Sequence, residues 1–158
     1  MNIKFGKLNE YKPIKFINNK YVISWGLEKV NDDSYKWKYF VSNNKISKNE
    51  IKDIINAYVN SEVKKSIENK FEWNSMHIYL SLENQIDYKL LFDVTMLQNG
   101  KNLPETIKFK VNGENIFYEI ESIEEFKDFI IKMNNHIRTC IKIGNNIKES
   151  INYVDYQI

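Results

Sequence analysis

The chain has one cysteine, two prolines and five glycines among its 158 residues, and it has no long apolar run. A single thiol, Cys140, excludes an internal disulfide. The apolar runs all fall short of the roughly 18 residues that a membrane-spanning helix needs. The first twenty residues also lack the apolar segment of a secretory signal peptide. We therefore expect a protein that is made and folded in a cytoplasm.

Neither sign of charge dominates this sequence. Its 23 lysines and arginines nearly balance 21 aspartates and glutamates, which gives a net charge of +2. A nucleic-acid-binding protein shows a clustered basic face, and this balance gives no sign of one. The hydrophobic fraction of 42%, with 14% aromatic residues, supplies enough apolar material for the core of one domain.

The motifs of the common enzyme classes are also missing. The glycines are scattered and form no phosphate-binding loop, and neither GxSxG nor HExxH occurs. His136 and Cys140 are four residues apart on a predicted helix, which is the spacing of half a zinc site or of a thiol–imidazole pair. Only His77 remains elsewhere to complete such a site, so a half-buried thiol beside a surface imidazole is the simpler interpretation. We expect no enzymatic activity, no metal and no cofactor.

The most apolar segment runs from Ser81 to Gly100. Ser81 is typical of a helix N-cap, and Gly100 is typical of a helix end. Apolar residues recur between them at helical spacing: Leu82, Ile86, Leu90, Val94 and Leu97, with Leu91 and Met96 widening the face. We expect this helix to be covered on more than one side, with the rest of the chain packed around it.

Three β-hairpins and two further helices are predicted around that segment. The predicted strand pairs are 21–30 with 35–41, 71–73 with 76–80, and 106–111 with 116–121. Asn112-Gly113 is the strongest turn signal. Capping boxes at Ser47 and Ser122 begin the other two helices, and Gly144 is expected to end the last one. The order predicts an α+β fold, in which antiparallel β-hairpins pack with three α-helices in a single domain.

The two ends of the chain have less regular patterns. We interpret residues 1–20 as an N-terminal arm, 21–144 as the α+β domain and 145–158 as a C-terminal tail. Apolar side chains in the arm and tail are costly if they stay in water as a patch. They are therefore candidates for contact with partner proteins: Ile3, Phe5, Tyr11, Tyr153 and Tyr156. Packing of both ends onto their own domain is an equally weighted alternative.

Aromatic and basic residues alternate from Tyr35 to Tyr39. This pattern is found on single-stranded nucleic-acid platforms, where bases stack on aromatic rings. It is also the pattern of an ordinary strand with Tyr35, Trp37 and Tyr39 on one face and lysines on the other. The second interpretation is favoured, so we expect no specific nucleic-acid partner and no membrane partner.

Several segments, taken together, resemble one group of proteins. They are the Tyr-rich hairpin, the capped helix at Ser47, Phe71-Glu72-Trp73-Asn74, the run from Ser81 to Lys89, the stretch from Leu103-Pro104 to Phe109, and the junction from Tyr118 to Phe126. Over about residues 21–144 the chain resembles a family of small proteins from phages and prophages of gut Bacteroidales, including crAss-like phages. The run from Ser81 to Lys89 is the most specific part.

The resemblance implies a virion structural protein: a component of the tail, of the head–tail connector or of an attached fibre. Such a protein works through contacts with other phage structural proteins, as a homo-oligomer or as ring-associated copies. It is located in the virion after synthesis in the host bacterial cytoplasm. The resemblance brings no catalytic residue with it. The alternative is a tail-fibre assembly chaperone or another phage accessory protein outside the virion.

Overall fold

The computed structural model describes residues 1–156 and confirms the α+β fold class, with three helices and two four-stranded antiparallel sheets. The strands are β1 (Asn2–Gly6), β2 (Ile14–Ile17), β3 (Lys20–Lys29), β4 (Tyr35–Ser42), β5 (Phe71–Trp73), β6 (Met76–Ile78), β7 (Glu105–Val111) and β8 (Glu114–Ile120). The helices are α1 (Lys48–Asn69), α2 (Leu82–Leu97) and α3 (Ile123–Glu149). Sheet A has the strand order β1-β4-β3-β2, and sheet B has the order β5-β6-β7-β8.

The chain folds as two compact units. Unit 1 contains sheet A and is built from residues 1–59 together with the chain from Asn145 onward. Unit 2 contains sheet B and α2 and is built from residues 60–144 without interruption. The predicted boundary after Gly144 coincides with the end of unit 2, whereas the predicted boundary after Lys20 lies inside unit 1.

Residues 1–20 are therefore not an arm, and this expectation is corrected. They form β1 and β2, with a short 3₁₀ turn at Leu8–Glu10 between them. β1 pairs with β4, far along the chain, while β2 forms a tight hairpin with β3 through Asn18-Asn19. Both asparagines have positive φ, 51° and 61°, as the type I′ turns of two-residue hairpins require.

Both faces of sheet A carry buried aromatic side chains. On one face Trp25 packs against Tyr58 of α1, with ring centroids 5.9 Å apart. On the other face Trp37 packs edge-on against Tyr11, at 5.8 Å. Trp25 and Trp37 are almost completely buried, so unit 1 has material on both sides of its sheet.

Unit 2 is centred on a cluster of aromatic side chains. The ring of Phe129 on α3 lies 5.1 Å from Trp73 on β5, 5.2 Å from Phe109 on β7 and 5.4 Å from Tyr88 on α2. Most of these contacts are edge-on, which is the favoured arrangement of aromatic rings. Trp73 also donates its indole N–H to Asp128, at 2.9 Å. Strands and helices of unit 2 therefore meet at Phe129.

The predicted hairpins and helix starts are confirmed. Asn74 and Ser75 both have positive φ in the turn from β5 to β6, and Asn112-Gly113 joins β7 to β8. At Ser47 the capping box forms in full, because Ser47 Oγ accepts the N–H of Glu50 and the Glu50 carboxylate accepts the N–H of Ser47.

The predicted end of the last helix at Gly144 is wrong. α3 continues to Glu149, and Gly144 is a buried residue within it. A glycine inside a helix costs about 1 kcal/mol relative to alanine, and a buried one is usually retained where packing demands a small residue. The signal was misread because a glycine near the end of an apolar pattern also suits a helix terminus.

Candidate protein-contact surfaces

The five predicted partner-contact residues separate into exposed and covered groups. Ile3 and Phe5 are 59% and 64% exposed and lie on the same face of β1. Tyr11 and Tyr153 are half-buried. Tyr156 is only 3% exposed, so it is corrected from a partner contact to a core residue of unit 1.

Hydrogen bonds hold Tyr11 and Tyr156 against β3. The hydroxyls of Tyr11 and Tyr156 both donate to the backbone carbonyl of Ser24 in β3, at 3.4 and 2.7 Å. Burial raises the pKa of both hydroxyls. Lys52 lies 5.8 Å from the centre of the Tyr153 ring, where a cation–π contact is favourable. The C-terminal segment thus packs onto its own unit, as the alternative interpretation held.

Ile3 and Phe5 form what we call the β1 surface. β1 is an edge strand of sheet A, and Ile3 lies opposite Lys38 while Phe5 lies opposite Lys36. Residues directly opposite each other share a face of the sheet. Lys36 and Lys38 therefore lie beside the two apolar side chains, on the neighbouring strand β4. Lys4 points to the other face, where its ammonium lies 3.3 Å from Glu10. The β1 surface is therefore an apolar pair at the rim of the sheet.

The largest set of exposed apolar side chains lies on α2. The expectation that this helix is covered on more than one side is wrong for the described residues. Its buried residues are Tyr88 and Thr95. We call the exposed row the α2 ridge; its members are between 43% and 83% exposed, and they are Leu82, Ile86, Leu90, Val94 and Leu97.

The aromatic cluster determines which face of α2 is buried. Tyr88 packs at 5.5 Å from Phe109, and its hydroxyl donates to the carbonyl of Lys108 at 3.2 Å. Burial raises the pKa of Tyr88 to about 12. Phe92, four residues further on, packs at 5.3 Å from Phe126. The spacing of Tyr88 and Phe92 was visible in the sequence, but it competed with the more numerous leucines and isoleucines of the α2 ridge.

His136 and Cys140 are brought together, although not as a reactive pair. The Nε2 atom of His136 lies 3.2 Å from the carbonyl oxygens of both Ser66 and Ile67, at the end of α1, and 3.8 Å from Cys140 Sγ. The Ser66 carbonyl also accepts the backbone N–H of Lys70, at 3.1 Å. An imidazole N–H that donates to carbonyls at a helix end has a structural role, because it helps to satisfy acceptors that the helix leaves open. Burial raises the pKa of the Cys140 thiol, which disfavours the nucleophilic thiolate.

Other chemistry is equally sparse among residues 1–156. They contain no group of three or more histidine, cysteine or acidic side chains arranged to hold a metal ion. His77 on β6 has Glu72 as its nearest carboxylate, at 3.9 Å. The aromatic face of β4 is partly covered, because Trp37 is buried beneath Tyr11. The described helices include none that is long and apolar enough to cross a membrane.

Comparison with known proteins adds no relative to this picture. No family model, curated protein or solved structure matches the chain. The resemblance to the phage family therefore rests on the segments named above, and the β1 surface and the α2 ridge rest on the geometry of this chain.

Proposed function

We propose that this chain is a bacteriophage virion structural protein of the tail, the head–tail connector or an attached fibre, and that it works through protein–protein contacts. The observation that carries the contact role is the exposed pair Ile3 and Phe5 on the edge strand β1. The phage setting is supported by the sequence resemblance over residues 21–144.

Contact at β1 would take the form of strand addition. The outer side of an edge strand offers backbone N–H and C=O groups, on which a strand from a neighbouring subunit can pair. Ile3 and Phe5 alternate along one face, so they would meet apolar side chains of the added strand. A lysine often guards such an edge against pairing, but Lys4 lies within an ion pair to Glu10 on the opposite face.

The first experiment is mass spectrometry of purified phage particles from a host that expresses the chain. We expect the chain to be present at a fixed ratio to the known tail or connector proteins. Its absence from complete particles would contradict the virion role and would favour the assembly-chaperone alternative.

The second experiment tests the β1 surface. Ile3→Lys combined with Phe5→Lys places two charges where the added strand would pack, so we expect the variant to be missing from particles. Ile17→Lys is the matched control, because Ile17 lies at the end of the opposite edge strand β2 and is 49% exposed. Incorporation of the double variant at the wild-type level would show that β1 is not the contact. Point variants are preferable to deletion of residues 1–19, which would remove both β1 and β2 from sheet A.

A further inference from the structure

The α2 ridge presents a sizeable apolar area. Together with Met96 at its edge, the ridge exposes an area equal to that of three to four complete side chains. If each complete side chain counts for the apolar area of a leucine or isoleucine, the total exposed area is on the order of 400 Å². Contiguous apolar patches of this size on soluble proteins often mark interaction sites.

That area is close to the apolar part of the surface that a pair of identical chains needs on each side. A standard stable interface buries about 800 Å² on each partner, of which about 60%, or roughly 500 Å², is apolar. The α2 ridge supplies most of the apolar share. Its polar neighbours on the same helix supply a rim: Glu83, Asp87, Lys89 and Asp93.

The spacing of the ridge also suits a partner of the same shape. Leu82, Ile86, Leu90 and Val94 follow one another at intervals of four residues, which forms a continuous i±4 ridge. Two such ridges interdigitate when the helices cross at about −50°, the most common crossing in globular proteins. In a crossed pair the closest contact is at the middle of the ridge, between Ile86 and Leu90. A twofold axis through that point would place the same surface on both sides of the contact.

We propose that the α2 ridge is an isologous interface, at which two copies of this chain pair through their α2 helices. The partner is a second copy, because each copy supplies most of the apolar area that one side of a standard interface buries. This pairing is independent of the β1 surface and of the virion role.

Charge gives the pairing a distinctive salt dependence. The rim carries three carboxylates and one ammonium, and Lys89 is already 2.8 Å from Asp93 on the same helix. Two copies would therefore bring a net negative rim against a net negative rim. Salt screens that repulsion, so raising the ionic strength strengthens the pair or leaves it unchanged.

The test is the mass of the full chain in solution, by sedimentation equilibrium or light scattering over about 1–200 µM, the range in which contacts of modest size associate. We expect the wild-type chain to shift from monomer to dimer in this range. Leu90→Lys and Ile86→Lys should each weaken dimerisation by at least about a hundredfold, because every substitution acts twice in a symmetric contact. Lysine is a good helix former, so the helix itself should be retained, which far-UV circular dichroism checks.

The matched control is Phe117→Lys on β8, since Phe117 belongs to the same unit and is 70% exposed. It should dimerise like the wild type. Four results would each overturn the proposal: a wild-type chain that stays monomeric throughout, a dimer that survives both ridge variants, a dimer that Phe117→Lys weakens as much as Leu90→Lys, and a dimer that dissociates between about 0.05 and 0.5 M salt.

Discussion

α2 and α3 differ in how they use their apolar residues. α2 is the more apolar sequence of the two, yet its fully buried residues are Tyr88 and Thr95 alone. α3 has a more polar sequence and buries six residues, among them Phe126, Phe129 and Met133. Composition alone would place α2 at the centre of the fold. Its widest apolar row, the α2 ridge, is nevertheless exposed to solvent.

The difference comes from how clearly the apolar residues are segregated. In α3 most of them form one stripe, so there is one way to bury that stripe, and only Ile131, Ile141 and Ile143 are left exposed outside it. In α2 they occupy both the ridge and the opposite side, where Tyr88 and Phe92 lie. Only one of those sides can face sheet B, and the edge-on ring contacts and the hydrogen bond from Tyr88 to Lys108 favour the aromatic side. The α2 ridge then stays exposed and can contact another surface.

The largest effect should come from the centre of the α3 stripe. Phe129→Ala removes a fully buried ring that touches Trp73, Phe109 and Tyr88. We expect the free energy of unfolding to fall by about 4 kcal/mol, as for other buried phenylalanines. Urea denaturation measures it, and a loss below about 1.5 kcal/mol would show that the cluster does not hold unit 2 together.

Alkaline pH should weaken the buried face of α2. The pKa of Tyr88 is about 12 in the folded chain, against 10.0 when the residue is unperturbed. Between these values the unfolded chain binds fewer protons than the folded chain, so the free energy of unfolding falls as pH rises. The loss is on the order of 2–3 kcal/mol, at about 1.4 kcal/mol per pKa unit. Burial raises the pKa of Tyr156 as well, so unit 1 should lose stability in the same direction.

Tyr88→Phe separates this contribution from that of other tyrosines. The variant should show a smaller loss of stability above pH 10 than the wild type, in unfolding experiments repeated from pH 8 upward. An unchanged alkaline profile would mean that Tyr88 ionises as freely in the folded chain as in the unfolded chain.

A moderate effect is expected at the start of α2. Ser81 Oγ accepts the N–H of Asn84 at 3.2 Å, so Ser81→Ala leaves that donor without its cap. The expected loss is about 1 kcal/mol in the free energy of unfolding. Ser61→Ala is the control, because Ser61 is an exposed serine inside α1, where alanine is the better helix former. Equal losses in the free energy of unfolding for the two variants would show that the Ser81 cap does not stabilise α2.

The smallest effect should come from the ridge itself. Leu90→Ala removes a side chain that is 59% exposed, and alanine favours the helix, so stability should change by no more than about 0.5 kcal/mol. The measurement belongs at a protein concentration where the chain is monomeric. A loss above about 1.5 kcal/mol would place Leu90 in a contact within the chain and would remove the contrast with Phe129.

Local signals in the sequence predicted much of the fold. The turns at Asn74-Ser75 and Asn112-Gly113 and the caps at Ser47 and Ser122 depend on neighbouring residues only, and all are present. The turn at Asn18-Asn19 was an equally local signal that the irregular pattern of residues 1–20 obscured.

The missed features depend on residues distant in sequence. The pairing of β1 with β4 joins residues that are 29 to 37 positions apart, and no local pattern of residues 2–6 specifies it. The orientation of α2 was missed for the same reason, because it depends on rings from β7 and α3. Among the exposed apolar residues, Ile3 and Phe5 were predicted from the sequence to be available for contacts, whereas the α2 ridge was predicted to be a core face.

The hydrogen bond from Tyr156 to Ser24 has a consequence for how the chain emerges from the ribosome. Its two partners are 132 residues apart, so unit 1 cannot complete its sheet packing until Tyr156 has been synthesised. Unit 2 is contiguous and is available to fold while later residues are still being added. Ser24 in β3 is therefore synthesised long before its hydrogen-bond partner Tyr156, so unit 1 completes its packing after the residues of unit 2 have been made.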